Sequence, residues 1–275
     1  MSALAKLNKK QKKTHDVLWQ QIYAEAEQAF ATDNIMGGFL RSCVLNHDNL
    51  EQAVIARLTD RLYYGDIDRD VLHNTLLETT TEIVNWPECL YADIVAVVER
   101  DPASHRLLDP LLYLKGFHAI QTHRIAHACW RQGRTDFAYY LQSRSSTVFQ
   151  TDIHPAARVG SGIFLDHATG LVVGETAVME DNVSILHGVT LGGTGKAERD
   201  RHPKIRHGVL IGAGAKILGN IEVGACSKIA AGSVVLKPVP EGVTVAGVPA
   251  QIIGKAGSRE PARNMDQTFA QGEGI

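Results

Sequence analysis

His167 stands in Leu165-Asp-His-Ala-Thr-Gly, and Asp152 stands upstream of it in Thr151-Asp-Ile-His-Pro. An aspartate beside a histidine fixes the imidazole tautomer and stabilises the imidazolium once it has taken a proton. Such a pair can deprotonate an alcohol or an amine. The plainer reading is structural: Asp and His both suit corners, and Asp152 can cap a turn. A second concentration of polar chemistry runs Gly192-Gly-Thr-Gly-Lys-Ala-Glu-Arg-Asp-Arg-His-Pro-Lys. There Arg201 can grip a carboxylate through two parallel N–H groups, and His202 can donate beside it. Glycine backbone N–H groups can approach a developing oxyanion closely. A solvated charged loop is the alternative, and the spacing excludes a Walker-type phosphate loop. His123 and His127 have the i, i+4 spacing of a metal pair, but no third ligand follows, so a packed helix face is expected and no metal is assigned.

The elements that must hold these residues follow from a period of six. Ile153, Val159 and Leu165 begin it; after two extra residues it resumes at Val173, Met179, Ile185 and Leu191. The cleanest run is Ile211, Ile217, Val223, Ile229 and Val235, often with glycine following. Six fits neither a helix nor an alternating strand; it is the signature of a parallel β-helix, with one short strand and one turn per hexad. His167 falls where the phase slips, and the polar run from Gly192 interrupts the repeat, so it should project as a loop. With three hexads per coil, the spacing from Asp152 to His167 is near enough to one full coil to suggest that the two stand on neighbouring coils. Such a prism has no deep pocket of its own, which points to an oligomer whose neighbouring copy completes a cleft.

Residues 15–150 read as helices. Leu18, Ile22, Ala26 and Phe30 share one helical face, Asp33 or Asn34 can cap the next segment, and Asn49 precedes another helix. A long helix is expected from Pro110 to Trp130 with Gly133 at its exit, then one from Thr135 to Phe149. The repeat should break down after Pro238 and Pro240. The expected organisation is α+β: a flexible basic tail over 1–14, a helical oligomerisation domain over 15–150, a β-helix catalytic domain over 151–255 and a flexible tail over 256–275.

The 275 residues carry a formal net charge of −2, which argues against nucleic-acid binding. No apolar stretch approaches the roughly 18 residues that span a bilayer. Cys43, Cys89, Cys129 and Cys226 form neither a zinc motif nor a disulfide framework, so a reducing cytoplasm is expected.

At these residues the chain closely resembles the bacterial serine O-acetyltransferases, hexapeptide-repeat enzymes that start cysteine synthesis. The carrying stretches are Arg100-Asp-Pro-Ala, Leu111-Leu-Tyr-Leu-Lys-Gly-Phe-His, Asp152-Ile-His-Pro-Ala-Ala-Arg, Leu165-Asp-His-Ala-Thr-Gly, Leu191-Gly-Gly-Thr-Gly-Lys, Asp200-Arg-His-Pro-Lys-Ile and Ala246-Gly-Val-Pro-Ala. A generic hexapeptide protein would share the repeats but not these insertions. The resemblance implies a left-handed prism, a site between prisms of a trimer, and helical halves that pair two trimers into a hexamer. It makes His167 the general base that takes the proton from the serine hydroxyl as it attacks acetyl-CoA, and Asp152 the carboxylate that orients it. It gives Asp101 and Asp166 to the ammonium of L-serine, Arg201 to its carboxylate and His202 to the same pocket. Gly193 becomes the oxyanion donor, and Thr194, Ala213 and Ala231 line the coenzyme groove. No permanently bound cofactor is implied.

Two further traits follow from the resemblance: inhibition by L-cysteine, and docking of the C-terminal Gly274-Ile275 into O-acetylserine sulfhydrylase. The basic N-terminal extension and Ala197-Glu198-Arg199 depart from the family pattern. Lys228 and Lys237 are candidates for the coenzyme 3′-phosphate. Other readings are an acyltransferase acting on homoserine or a sugar, a γ-type carbonic anhydrase using His167, His202 and His207, and a non-catalytic scaffold that presents the tail.

Overall fold

The computed structural model describes residues 3–195 and 198–267. No glycine or proline interrupts the chain before Thr32, and α1 runs unbroken over Ala3–Thr32. The lysine-bearing segment expected as a flexible tail is therefore backbone helix from Ala3 onward. Asp33 caps a single turn over Asn34–Met36 by accepting from the Ile35 N–H. The short α2 (Gly37–Leu40) leads into α3 (Leu50–Leu62), which Asn49 caps by accepting from Gln52 N–H at 2.9 Å. Next come α4 (Arg69–Thr80) and α5 (Trp86–Arg100). The long helix expected from Pro110 is two: α6 (Leu108–Leu112) and α7 (Lys115–Arg131), parted by an extended Leu114. The break lets α7 press its first turn onto the prism; a Cβ on Gly116 would meet the Leu165 carbonyl oxygen at 2.0 Å. α8 spans Thr135–Phe149.

From Thr151 the chain winds into a parallel β-helix. Its first coil is β1 (Thr151–Ile153), β2 (Arg158–Val159) and β3 (Phe164–Leu165). The second is β4 (Leu171–Val173), β5 (Val178–Met179) and β6 (Ser184–Ile185). The third is β7 (Thr190–Gly192), β8 (Lys204–Ile205) and β9 (Leu210–Ile211). The fourth is β10 (Lys216–Leu218), β11 (Glu222–Val223) and β12 (Lys228–Ile229). β13 (Val234–Val235) opens a fifth coil, which runs on past Pro238 and Pro240: Val239 bridges Val223, and β14 (Val243–Gly247) pairs with β12. The three faces stack as β1-β4-β7-β10-β13, β2-β5-β8-β11 and β3-β6-β9-β12-β14.

The hexad residues point inward and meet their own kind. Ile153, Val173, Leu191, Ile217 and Val235 form one buried column, and Leu165, Ile185, Ile211, Ile229 and Val245 another. This dry axis is the hydrophobic free energy of the prism. At the corner entering the first face, Gly170, Gly188, Gly214 and Gly232 stack with φ of 76°, 68°, 71° and 68°. The left-handed backbone there favours glycine at each level.

Buried charges fasten the helices to the prism. Asp93 Oδ2 accepts from Arg124 Nη2 and Gln121 Nε2, each at 2.8 Å, while its Oδ1 accepts from the Ile163 N–H at 2.9 Å. Arg100 donates to the Gly162 carbonyl at 3.0 Å and to Ser184 Oγ at 3.1 Å.

The start of the tail expected from residue 256 is ordered, and residues 268–275 lie outside the described residues. β15 (Ala250–Lys255) folds antiparallel onto β14, and α9 (Pro261–Asn264) packs back against the prism and α5. Ala256 and Ala262 are buried, Ser184 Oγ donates to the Ala262 carbonyl at 2.6 Å, and Arg263 pairs with Glu99 at 3.0 Å. Ile275 lies outside the described residues. Among the described residues no helix is long and apolar enough to cross a membrane.

Candidate active site

Two prism edges carry the expected chemistry, and they are different edges. The first joins the third face to the first. Between β3 and β4 the extra residues turn through His167 at φ 56° and Ala168 at 61°. This left-handed pair thrusts the imidazole outward, leaving its side chain 72% exposed. His167 Nε2 lies 3.6 Å from Asp166 Oδ2. Burial raises the Asp166 carboxyl above the usual carboxylate range, His167 pulls it partly back, and Asp101 raises it further. Asp101, at the C-terminal end of α5, is thus brought to the same corner as Asp166 and His167.

One coil higher, the His187 ring sits 5.7 Å from that of His167, nearly perpendicular to it. Above that, Gly214 N–H donates to the His187 carbonyl and Gly232 N–H to the Ala213 carbonyl. Ala213 and Ala231 therefore continue the edge that His167 begins. Both positions carry only a methyl side chain.

The second edge joins the first face to the second. It gathers Gly174, Glu175 and Thr176 after β4 with Gly193, Arg201 and His202 of the insertion. Arg201 Nη2 pairs with Glu175 Oε2 at 2.6 Å, which holds the Glu175 carboxyl below its ordinary range. Thr176 Oγ1 accepts from the Arg201 and His202 N–H groups at 3.0 and 3.1 Å. The insertion projects as expected, but it is tied down at this point. His202 is buried, and burial pushes its imidazole toward the neutral form, with Arg201 adding to the effect. Its Nε2 would lie 3.4 Å from a Cβ on Gly193. Thr194 packs against Gly219 in the coil above.

Asp152 does not meet His167 within the protomer. It faces outward from β1, level with Val172 of the next coil, and accepts from Gln142 Nε2 at 2.6 Å. The slip in the repeat at His167 explains this: Thr151 pairs with Leu171, so the first coil is longer than three hexads. The carboxylate beside His167 is Asp166.

A family model described as "Serine acetyltransferase, N-terminal" matches residues 18–122, and one for bacterial transferase hexapeptide repeats matches 202–237. The serine acetyltransferase of Salmonella typhimurium is 51% identical over 267 residues, covering 94% of this chain and 98% of that protein. The chain belongs to the serine acetyltransferase family. It is thus an enzyme of the acyltransferase class. Among solved members, the Brucella abortus enzyme in complex with coenzyme A is 66% identical and superposes with a TM-score of 0.87, covering 89% of this chain and 98% of that one. A member in complex with cysteine is 50% identical with a TM-score of 0.90, covering 93% and 99%.

Within this family member, Glu175, Thr176 and His187 were missed in the sequence. His187 carried a signal, being a second histidine at the hexad phase of His167. Glu175 and Thr176 carried none, because they read as ordinary turn residues until the insertion folds back on them. Lys228 is buried and lines a small cavity with Ala231 and Thr244. His123 is buried and His127 Nδ1 donates to the Pro155 carbonyl at 2.7 Å, so the helical pair serves packing. His207 sits apart, exposed beside Glu180.

Proposed function

We propose that this chain transfers the acetyl group of acetyl-CoA to the hydroxyl of L-serine, giving O-acetylserine and CoA. The observation that carries the reading is the division of charge: Asp101 and Asp166 at one prism edge, Arg201 and His202 at another. An amino acid is a zwitterion and needs both. Its ammonium suits the acidic corner and its carboxylate the Arg201 fork. Because the two corners belong to different edges of one prism, a neighbouring copy supplies the second, as in a trimer whose threefold axis runs parallel to the prism axes. Two trimers joined through the helical halves make the proposed hexamer.

His167 then acts as general base. It removes the hydroxyl proton while the serine oxygen attacks the thioester carbonyl. The Gly193 N–H faces the oxyanion of the tetrahedral intermediate. Collapse breaks the carbon–sulfur bond, and the imidazolium returns the proton to the CoA thiolate. Asp152 is the proposed orienting carboxylate, which requires the exposed His167 ring to swing away from Asp166. The pantetheine arm lies along Ala213 and Ala231 of one copy and Thr194 of its neighbour, and coenzyme A bound to the Brucella abortus enzyme supports a site of this kind. L-Cysteine differs from serine only in its side-chain atom, so it fits the same pocket; the family member crystallised with cysteine supports end-product inhibition. Docking of Ile275 into O-acetylserine sulfhydrylase remains part of the proposal. All four cysteines are unpaired, which suits a reducing cytoplasm.

The test is thiol release from acetyl-CoA with L-serine, beside homoserine, a sugar panel and no acceptor. Serine-dependent release that vanishes in His167→Ala supports the reading; release that follows another acceptor overturns the pocket assignment.

A further inference from the structure

We propose that Thr176 is a positioning residue that clamps His202 as a neutral imidazole with its proton on Nε2, a fixed hydrogen-bond donor aimed at an oxygen of the bound amino acid. This rests on the proposed function for the ligand, but the clamp itself stands on four contacts. The Thr176 backbone N–H points at His202 Nδ1 at 3.1 Å. An amide N–H only donates, so Nδ1 must offer its lone pair. The Thr176 hydroxyl lies 2.8 Å from the same nitrogen. Its oxygen already accepts the Arg201 and His202 N–H groups, so its own proton is directed at Nδ1 or at the Asp200 carboxylate, which also bonds this hydroxyl. With the Thr176 backbone N–H committed to Nδ1 and the hydroxyl beside it, the single proton of the neutral ring is driven to Nε2.

Packing fixes where that proton points. The ring lies so close over Gly174 that a Cβ there would come within 2.0 Å of Nε2, and Nε2 faces the Gly193 side of the insertion. Arg201, Lys204, Glu175 and His154 are the charged and titratable groups around the ring, and Asp200 borders the Thr176 hydroxyl. Arg201 and Lys204 disfavour a second positive charge, whereas Glu175 favours one. The clamp decides between them by denying Nδ1 its proton. Without it the other tautomer would turn a lone pair toward the pocket and repel a carboxylate.

The test combines a spectroscopic signature with kinetics on the full-length protein. Magic-angle-spinning ¹⁵N spectra of histidine-labelled enzyme, with His202→Gln to identify the signal, should show His202 Nδ1 unprotonated and Nε2 protonated near neutral pH. Thr176→Val should mix the tautomers, raise the pH at which His202 protonates, and raise the serine KM by about 5- to 10-fold, the worth of one hydrogen bond, with kcat changing less. Thr176→Ser keeps the hydroxyl and should restore both readouts. A protonated Nδ1 in the unaltered enzyme overturns the clamp whatever the acceptor substrate proves to be. So does a Thr176→Val enzyme with an unaltered tautomer and KM, or a Thr176→Ser enzyme that behaves like Thr176→Val. If serine proves not to be the acceptor, the ¹⁵N signature still decides the clamp.

Discussion

The imidazole of His202 lies across Gly174, with 2.0 Å between its Nε2 and the place a Cβ would occupy. Only hydrogen fits there. Gly174→Ala should displace the ring by about an ångström, and misplacement of that size costs about 10²-fold in kcat/KM. The residue is at an outer corner, so thermal unfolding should shift little. Steady-state kinetics beside calorimetry separate the two effects, and unchanged kinetics would show that His202 plays no part in the pocket.

His167→Ala should lower kcat by about 10²- to 10⁴-fold while the serine KM changes little, as expected for loss of a general base. Asp152→Asn tests the carboxylate behind it. A large fall in kcat assigns the orienting role to Asp152. An unimpaired Asp152→Asn enzyme transfers that role to Asp166, which already lies 3.6 Å from the ring.

Asp166 carries a carboxyl whose folded-state value is raised, chiefly by burial. The folded protein thus binds that proton more tightly than the unfolded chain does. The resulting stabilisation is fully present below the unfolded carboxylate value near 4 and is lost as pH rises through the folded value. At neutral pH the ionised group is a strain on the fold, tolerated for function. Asp166→Asn should therefore raise the melting temperature slightly at pH 7, with no gain at low pH, while weakening serine binding. Melting curves at two pH values check the sign.

Asp93 and Arg124 are 1% and 7% exposed, and their pair ties α5 and α7 to the turn before β3. Asp93→Ala leaves a buried guanidinium without its carboxylate and the Ile163 N–H without an acceptor. A loss of about 3–5 kcal/mol in unfolding free energy is expected, read from urea denaturation of the full-length protein. Asp93→Asn should lose less, because it still accepts from Ile163.

The prism was legible because its inward positions obey a local rule: Ile211, Ile217, Val223, Ile229 and Val235 announce themselves at intervals of six, and each lies in the column the period predicts. What escaped is decided by contacts distant in sequence. Leu114 breaks the helix between α6 and α7 because Gly116 must approach the Leu165 carbonyl. The short α9 forms where Ser184 and Glu99 receive it, though its composition resembles a frayed end. At the site, residue types were legible but pairings were not. Within one protomer the slip at His167 lengthens the first coil and sets Asp152 level with Val172.

The insertion between β7 and β8 has a wider bearing. Thr190 and Lys216 are paired although the whole insertion lies between them, whereas Lys216 and Val234 pair across an ordinary coil of three hexads. The additional chain leaves and re-enters at one corner, and the coils on either side keep their alignment. Within such a scaffold, a lineage can lengthen, shorten or replace a recognition loop without renegotiating the interior. New acceptor specificities are then reached by exchanging one hinge-bounded segment on a wall that does not change.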